Sequence, residues 1–88
     1  MLAYQVKLHR DAERALPTLP AHIQAAALEF IEQVLPSTPL IPIPHKTKKL
    51  RGRLAGIIQY DLPGGYRLWY RVDEATHTVY VDYIGPHP

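Results

Sequence analysis

Between His45 and Arg71 the chain reads HKTKKLRGRLAGIIQYDLPGGYRLWYR, and most side chains with chemistry to offer lie in that stretch. Lys46, Lys48, Lys49, Arg51, Arg53, Arg67 and Arg71 stand against one acid, Asp61, while the segments on either side are each net acidic. The total of +2 at pH 7 therefore hides a polarised molecule. Tyr60, Tyr66, Trp69 and Tyr70 are interleaved with these cations. Positive charge beside aromatic faces is what a surface needs to hold a phosphate backbone and stack unpaired bases. Lys46, Lys48, Lys49, Arg51 and Arg53 have no catalytic geometry of their own and read as a grip on phosphates.

Positioning these groups requires a strand. In an extended run from Tyr66 to Val72, alternation puts Arg67, Trp69 and Arg71 on one face and Tyr66, Leu68, Tyr70 and Val72 on the other. The second set reads as core. The first leaves Trp69 exposed between two arginines, as a base-stacking platform or, alternatively, as part of a protein contact. Arg67 follows directly on a turn, where a rigid strand can aim a guanidinium at a phosphate; the alternative is a solvated arginine paired with Asp61 or Asp82. Tyr60 can orient a hydroxyl, stack on a base, or be a buried, hydrogen-bonded core tyrosine. With apolar residues on both faces of its segment, the parity of that strand stays open. The five histidines show no close pair at ligand spacing and there is no cysteine, so no metal site and no thiolate chemistry are expected.

The remaining elements follow from periodicity. Leu2, Tyr4, Val6 and Leu8 alternate with Ala3, Gln5 and Lys7, predicting an opening strand. Residues 9–16 predict a short helix closed by Pro17, and Ile23, Ala26, Ala27, Phe30, Ile31 and Val34 predict a second one, with Pro20 in its first turn. Pro36, Pro39, Pro42 and Pro44 predict an extended linker within the domain. Ile57 to Leu62 and Tyr66 to Val72 predict a hairpin across Leu62-Pro63-Gly64-Gly65, and Thr78 to Ile84 a last strand. The order β-α-α-β-β-β gives an α+β fold: a mostly antiparallel sheet with the N-terminal helical hairpin packed on one face. Eighty-eight residues are expected to form one domain over 1–88. No apolar run approaches bilayer length, and Met1 to Lys7 lacks the pattern of an export signal, so a cytoplasmic protein is expected.

The order and spacing of several pieces resemble the RelE/ParE superfamily of bacterial and archaeal toxins from toxin-antitoxin pairs. They are the opening strand, Asp11-Ala12-Glu13-Arg14-Ala15-Leu16, a Leu-Pro before the second helix, and Lys49-Leu50-Arg51-Gly52. Gly65-Tyr66-Arg67-Leu68, Tyr70-Arg71-Val72 and the closing Val79 to Gly85 complete the set. The resemblance covers nearly the whole chain. It implies a cytoplasmic toxin neutralised by a cognate antitoxin, with a hetero-oligomer of the two. It also implies a target: RelE-like members cut mRNA in the ribosomal A site without a metal or other cofactor, whereas ParE-like members poison DNA gyrase. On the RelE-like reading, Arg67 matches the arginine those nucleases use, and His87 lies two residues beyond Gly85, where they carry a basic or histidine residue. Arg67 is then the transition-state stabiliser, His87 the acid or base, and Tyr60 the third member of the catalytic set. Lys46, Lys48, Lys49, Arg51, Arg53, Trp69 and Arg71 position the RNA, and the same charge would attract an acidic antitoxin segment. The pattern departs at Ile58 and Tyr60, where relatives tend to place lysines or arginines. Beside the RelE-like reading stand a ParE-like gyrase inhibitor and a catalytically inactive antitoxin-binding module.

Overall fold

The N-terminal alternation does produce a strand. The computed structural model describes residues 3–87, and β1 (Gln5–Leu8) has Val6 and Leu8 half-buried and Gln5 and Lys7 exposed. Leu2, the first apolar residue of that alternation, lies outside the described residues. Helix α1 (Arg10–Ala15) is capped by His9, whose Nδ1 accepts the Asp11 N–H at 3.1 Å. Asp11 and Glu13 in its first turn and Arg14 in its last match the helix dipole. Pro17 then forces a single 3-10 turn, Leu16–Thr18.

Helix α2 (Ala21–Glu29) starts directly after Pro20, which sits just outside the first turn, and buries Ile23 and Ala27. It continues as a π-helical turn, Phe30–Val34, in which the Leu35 N–H reaches back to the Phe30 carbonyl at 3.0 Å. The wider turn keeps Phe30, Ile31 and Leu35 all buried.

The sheet adds β2 (Thr47–Lys49), β3 (Ile58–Asp61), β4 (Tyr66–Asp73) and β5 (Thr78–Pro86), in the order β1-β5-β4-β3-β2. All its pairs are antiparallel except β1 with β5. The α+β class and the helical hairpin on one face are as the sequence predicts. Strand β2 is additional: three polar residues carry no alternation, yet they satisfy the free edge of β3, and the Asp61 N–H donates to the Lys46 carbonyl at 2.8 Å. The β3–β4 turn is the Pro63–Gly65 segment, with Gly64 at φ 70° and Gly65 at φ 80°, a region open to glycine. No helix among the described residues is long and apolar enough to cross a membrane.

Leu68, Tyr70, Val79, Val81 and Ile84 of the sheet meet Ala12, Ile23, Ala27, Phe30 and Leu35 of the helical layer in one core. Burial of each large apolar side chain there contributes roughly 1.5–3 kcal/mol. The proline-rich linker is part of the same assembly. Pro39 is buried and its carbonyl accepts the Tyr70 hydroxyl at 2.9 Å, while Ile43 packs against the core.

Tyr70 is only 2% exposed, and burial pushes its phenol from 10.0 up to about 12. Because the folded-state value is raised, its contribution to stability is fully present below pH 10 and lost as pH rises through 12. Tyr70→Phe leaves the Pro39 carbonyl unsatisfied and is expected to cost about 1–3 kcal/mol at neutral pH. In urea titrations at a series of pH values, the stability gap between wild type and this variant should narrow from pH 10 to pH 12.

Candidate nucleic-acid interface

Residues paired directly across an antiparallel sheet share a face. One row runs Asp61, Arg67, Gly85 and the next Lys48, Gln59, Trp69, Tyr83. The rows Thr47, Tyr60, Leu68, Ile84 and Lys49, Ile58, Tyr70, Val81 lie on the other side, against the helices. A bulge in β5 keeps these rows apart: Trp69 pairs with Tyr83 but Tyr70 with Val81, leaving Asp82 as the extra residue. Arg67, Trp69 and Lys48 therefore share the face that the helices leave open.

On that face Arg67 is held rather than splayed. Its Nη1 donates to the Tyr66 carbonyl at 3.1 Å, and its side chain is 23% exposed. Its Nε lies 3.2 Å from Asp61 Oδ1, an ion pair by distance, yet Nε is buried and makes no hydrogen bond. The charges are in close contact, but the N–H is not aligned with the oxygen. The Arg67 neighbour on β5 is Gly85, which offers no side chain; a Cβ there would meet Tyr83 Oη at 2.7 Å. The Tyr83 hydroxyl donates to the Pro86 carbonyl, and its ring tilts against Trp69 with centroids 5.3 Å apart. The Trp69 Nε1–H donates to Gln59 Oε1 at 3.0 Å, and Gln59 Nε2 donates to Asp61 Oδ1 at 3.1 Å. Arg71 is occupied elsewhere: its Nε donates to Asp82 Oδ2 at 2.9 Å and its guanidinium lies 4.4 Å above the Tyr80 ring.

The expected site residues are thus brought together in part. His87 is exposed, and its backbone N–H donates to the Gly65 carbonyl at 3.2 Å, which ties the end of β5 to the turn that precedes Arg67. Lys48 joins the Arg67 face and exposed Lys46 lies beside Asp61 at the backbone. Arg51 and Arg53 sit in an exposed loop around a 3-10 turn, Gly52–Leu54. Lys49 does not join them. Its register puts it with Ile58 and Tyr70, at an apolar cleft also lined by Leu40, so the lysine run is split across two faces. Tyr60 is also on the helix side, with its ring stacked on Phe30 at 3.7 Å and 6°. The expected catalytic Tyr60 is therefore separated from Arg67 by the sheet, because pairing with Thr47 and Leu68 sets its direction. Sequence reading missed Gln59 and Tyr83, and gave Asp61 only the part of a pairing acid. The signal for them is the β3–β4 register, which brings Asp61 opposite Arg67 and Gln59 opposite Trp69. Among the described residues no three His, Asp or Glu side chains are grouped to hold a metal ion.

No protein-family model matches the chain. It is 35% identical over 82 residues to the toxin RelE of Mycobacterium tuberculosis, spanning 92% of this chain and 78% of that protein. The chain belongs to the RelE toxin family. Toxin RelG of the same organism is 38% identical over 80 residues, spanning 91% of this chain and 86% of that protein. Among solved structures, the toxin-antitoxin complex RelBE2 from M. tuberculosis contains a chain with a TM-score of 0.78 at 35% identity, covering 98% of this chain and 100% of its own. This RelE-family chain therefore carries its arginine, indole and lysine on the sheet face opposite the helices.

Phosphate contacts made from that face have a measurable signature, since each one lost shallows the salt dependence of single-strand binding by about 0.7 in log–log slope. Lys48→Ala is expected to show that change when affinity for an RNA oligonucleotide is measured against salt. Arg71→Ala is expected to change the slope less, because its guanidinium already faces Asp82.

Proposed function

We infer that this RelE-family toxin is an mRNA endoribonuclease that acts at the ribosome by attack of a ribose 2′-hydroxyl on the adjacent phosphate. The observation that carries this reading is the placement of Arg67. A strand-borne guanidinium, half-covered and restrained by Asp61 and the Tyr66 carbonyl, faces the same side as Trp69 and Lys48. Such an arrangement can meet a phosphate and an unstacked base together, and an arginine held before substrate arrives loses little freedom in binding the developing phosphorane charge. His87, tied by its backbone to Gly65, stands at the same end and supplies an imidazole, a group that can donate or accept a proton. The product is a 2′,3′-cyclic phosphate and a 5′-hydroxyl, and no cofactor is required.

The partner we assign is a cognate antitoxin, as in the RelBE2 complex, with which the chain forms a hetero-oligomer in the cytoplasm. An acidic antitoxin segment and the phosphates of RNA suit the same basic groups, so neutralisation can proceed by competition for charge. A gyrase poison of the ParE type would need no proton-transfer groups. Adding the protein separately to translating ribosomes and to gyrase with supercoiled DNA distinguishes the two: cut codons support the nuclease, trapped double-strand breaks the poison.

Arg67→Ala should lower ribosome-dependent cleavage at least about tenfold, the loss of roughly 1.4 kcal/mol of barrier lowering. Its far-ultraviolet circular dichroism should match wild type, since the side chain lies outside the core. Unchanged cleavage by this variant removes Arg67 from the mechanism.

A further inference from the structure

Attack by a 2′-hydroxyl needs one group to take its proton and another to protonate the leaving oxygen; with His87 given the second task, the first is unfilled, since Ile58 has no acid–base chemistry and Tyr60 lies across the sheet. On the Arg67 face, Asp82 is engaged by Arg71 at 2.9 Å. The acid nearest the guanidinium is Asp61, with its side chain 44% exposed and Oδ1 3.2 Å from Arg67 Nε. Resting on the nuclease reading, we propose that Asp61 is the general base of the reaction and Gln59 the residue that positions it.

The case for a built site comes from Gln59. This polar side chain is only 4% exposed, although it points to the open face. An indole N–H can only donate, so the Gln59 oxygen must face Trp69 and its amide nitrogen must face position 61. That nitrogen can only donate, and the residue it meets is a carboxylate, an acceptor. The chain of donors from Trp69 through Gln59 therefore fixes Asp61 Oδ1 as an acceptor, the same oxygen that faces Arg67. Among the described residues the hydrogen bond to this carboxylate falls on Oδ1, which leaves Oδ2 as an acceptor beside the guanidinium. With the scissile phosphate on Arg67, Asp61 takes the 2′-hydroxyl proton as the 2′-oxygen forms its bond to phosphorus. The bond from phosphorus to the 5′-oxygen breaks, and that oxygen takes a proton from His87 or water. Gly85, on the other side of Arg67, adds no side chain to obstruct the ribose.

A competing role for Asp61 is a mask that neutralises Arg67 until RNA displaces it, and the two roles give opposite results. The test uses the full chain on ribosomes programmed with mRNA. It follows single-turnover cleavage at saturating toxin, and binding to the same complex with a 2′-O-methyl group at the target codon. For a base, Asp61→Asn should slow cleavage by about a hundredfold or more. Its affinity for the methylated complex should stay within about threefold of wild type, and Asp61→Glu should recover at least about tenfold of the lost rate. Gln59→Leu should slow cleavage with the same affinity retained. Cleavage by Asp61→Asn at the wild-type rate or faster overturns the proposal in favour of the mask. Loss of rate and affinity together, with no recovery in Asp61→Glu, overturns it in favour of a structural role. A wild-type chain that leaves the mRNA intact overturns the nuclease reading, and this inference with it.

Discussion

Leu68 and Tyr70 are buried beneath the helices, and because successive side chains of a strand point to opposite faces, sinking those two turns Arg67, Trp69 and Arg71 outward. Tyr70 is further pinned by its hydroxyl on the Pro39 carbonyl, so the linker, the helical layer and β4 fix one register between them. A slip of one residue would press guanidinium groups against Phe30 and Ile23, at the cost of stripping water from unpaired charge. The core thus decides where the cations point, and no feature of the open face has to do so.

What the open face adds is restraint. Each of its two strand arginines has an acid within 4 Å, Arg67 with Asp61 and Arg71 with Asp82, but the surroundings differ. Arg71 is half-exposed and spends its planar group on Tyr80 as well. Arg67 is more covered, and its acid is itself held through Gln59 by the single tryptophan. A charge pair at an exposed surface contributes little to stability. Here its effect is on orientation, since both members are fixed by neighbours before any ligand arrives.

The elements that were legible in the sequence are those with a strong period or a turn signal. Val6 and Leu8, Ile23 and Ala27, and the Pro-Gly hairpin all report their environment directly, because burying one face requires that spacing. Strand β2 was illegible because it forms to complete hydrogen bonds on the edge of β3 and buries almost nothing. The direction of Tyr60 was illegible for another reason. Ile57, Ile58, Tyr60 and Leu62 are apolar at both parities, and only pairing with β4 resolves which of them face the helices. The same pairing separates Lys48 from Lys49, which a count of charges places in one patch. The outward direction of Arg67 was legible from its strand and its turn, whereas Gln59 carried no signal until Trp69 lay beside it.

The parallel pairing of β1 with β5 joins nearly the first described residues to nearly the last, and β5 lies between β1 and β4 rather than at a margin. During synthesis, everything from Gln5 to Asp73 emerges before the strand that bridges its two halves. A nascent chain lacking Thr78–Pro86 has neither the Val79, Val81 and Ile84 layer of the core nor the Gly85 flank of Arg67. The sheet consequently stays in two pieces, with Arg67 flanked on one side only, until Thr78–Pro86 is in place.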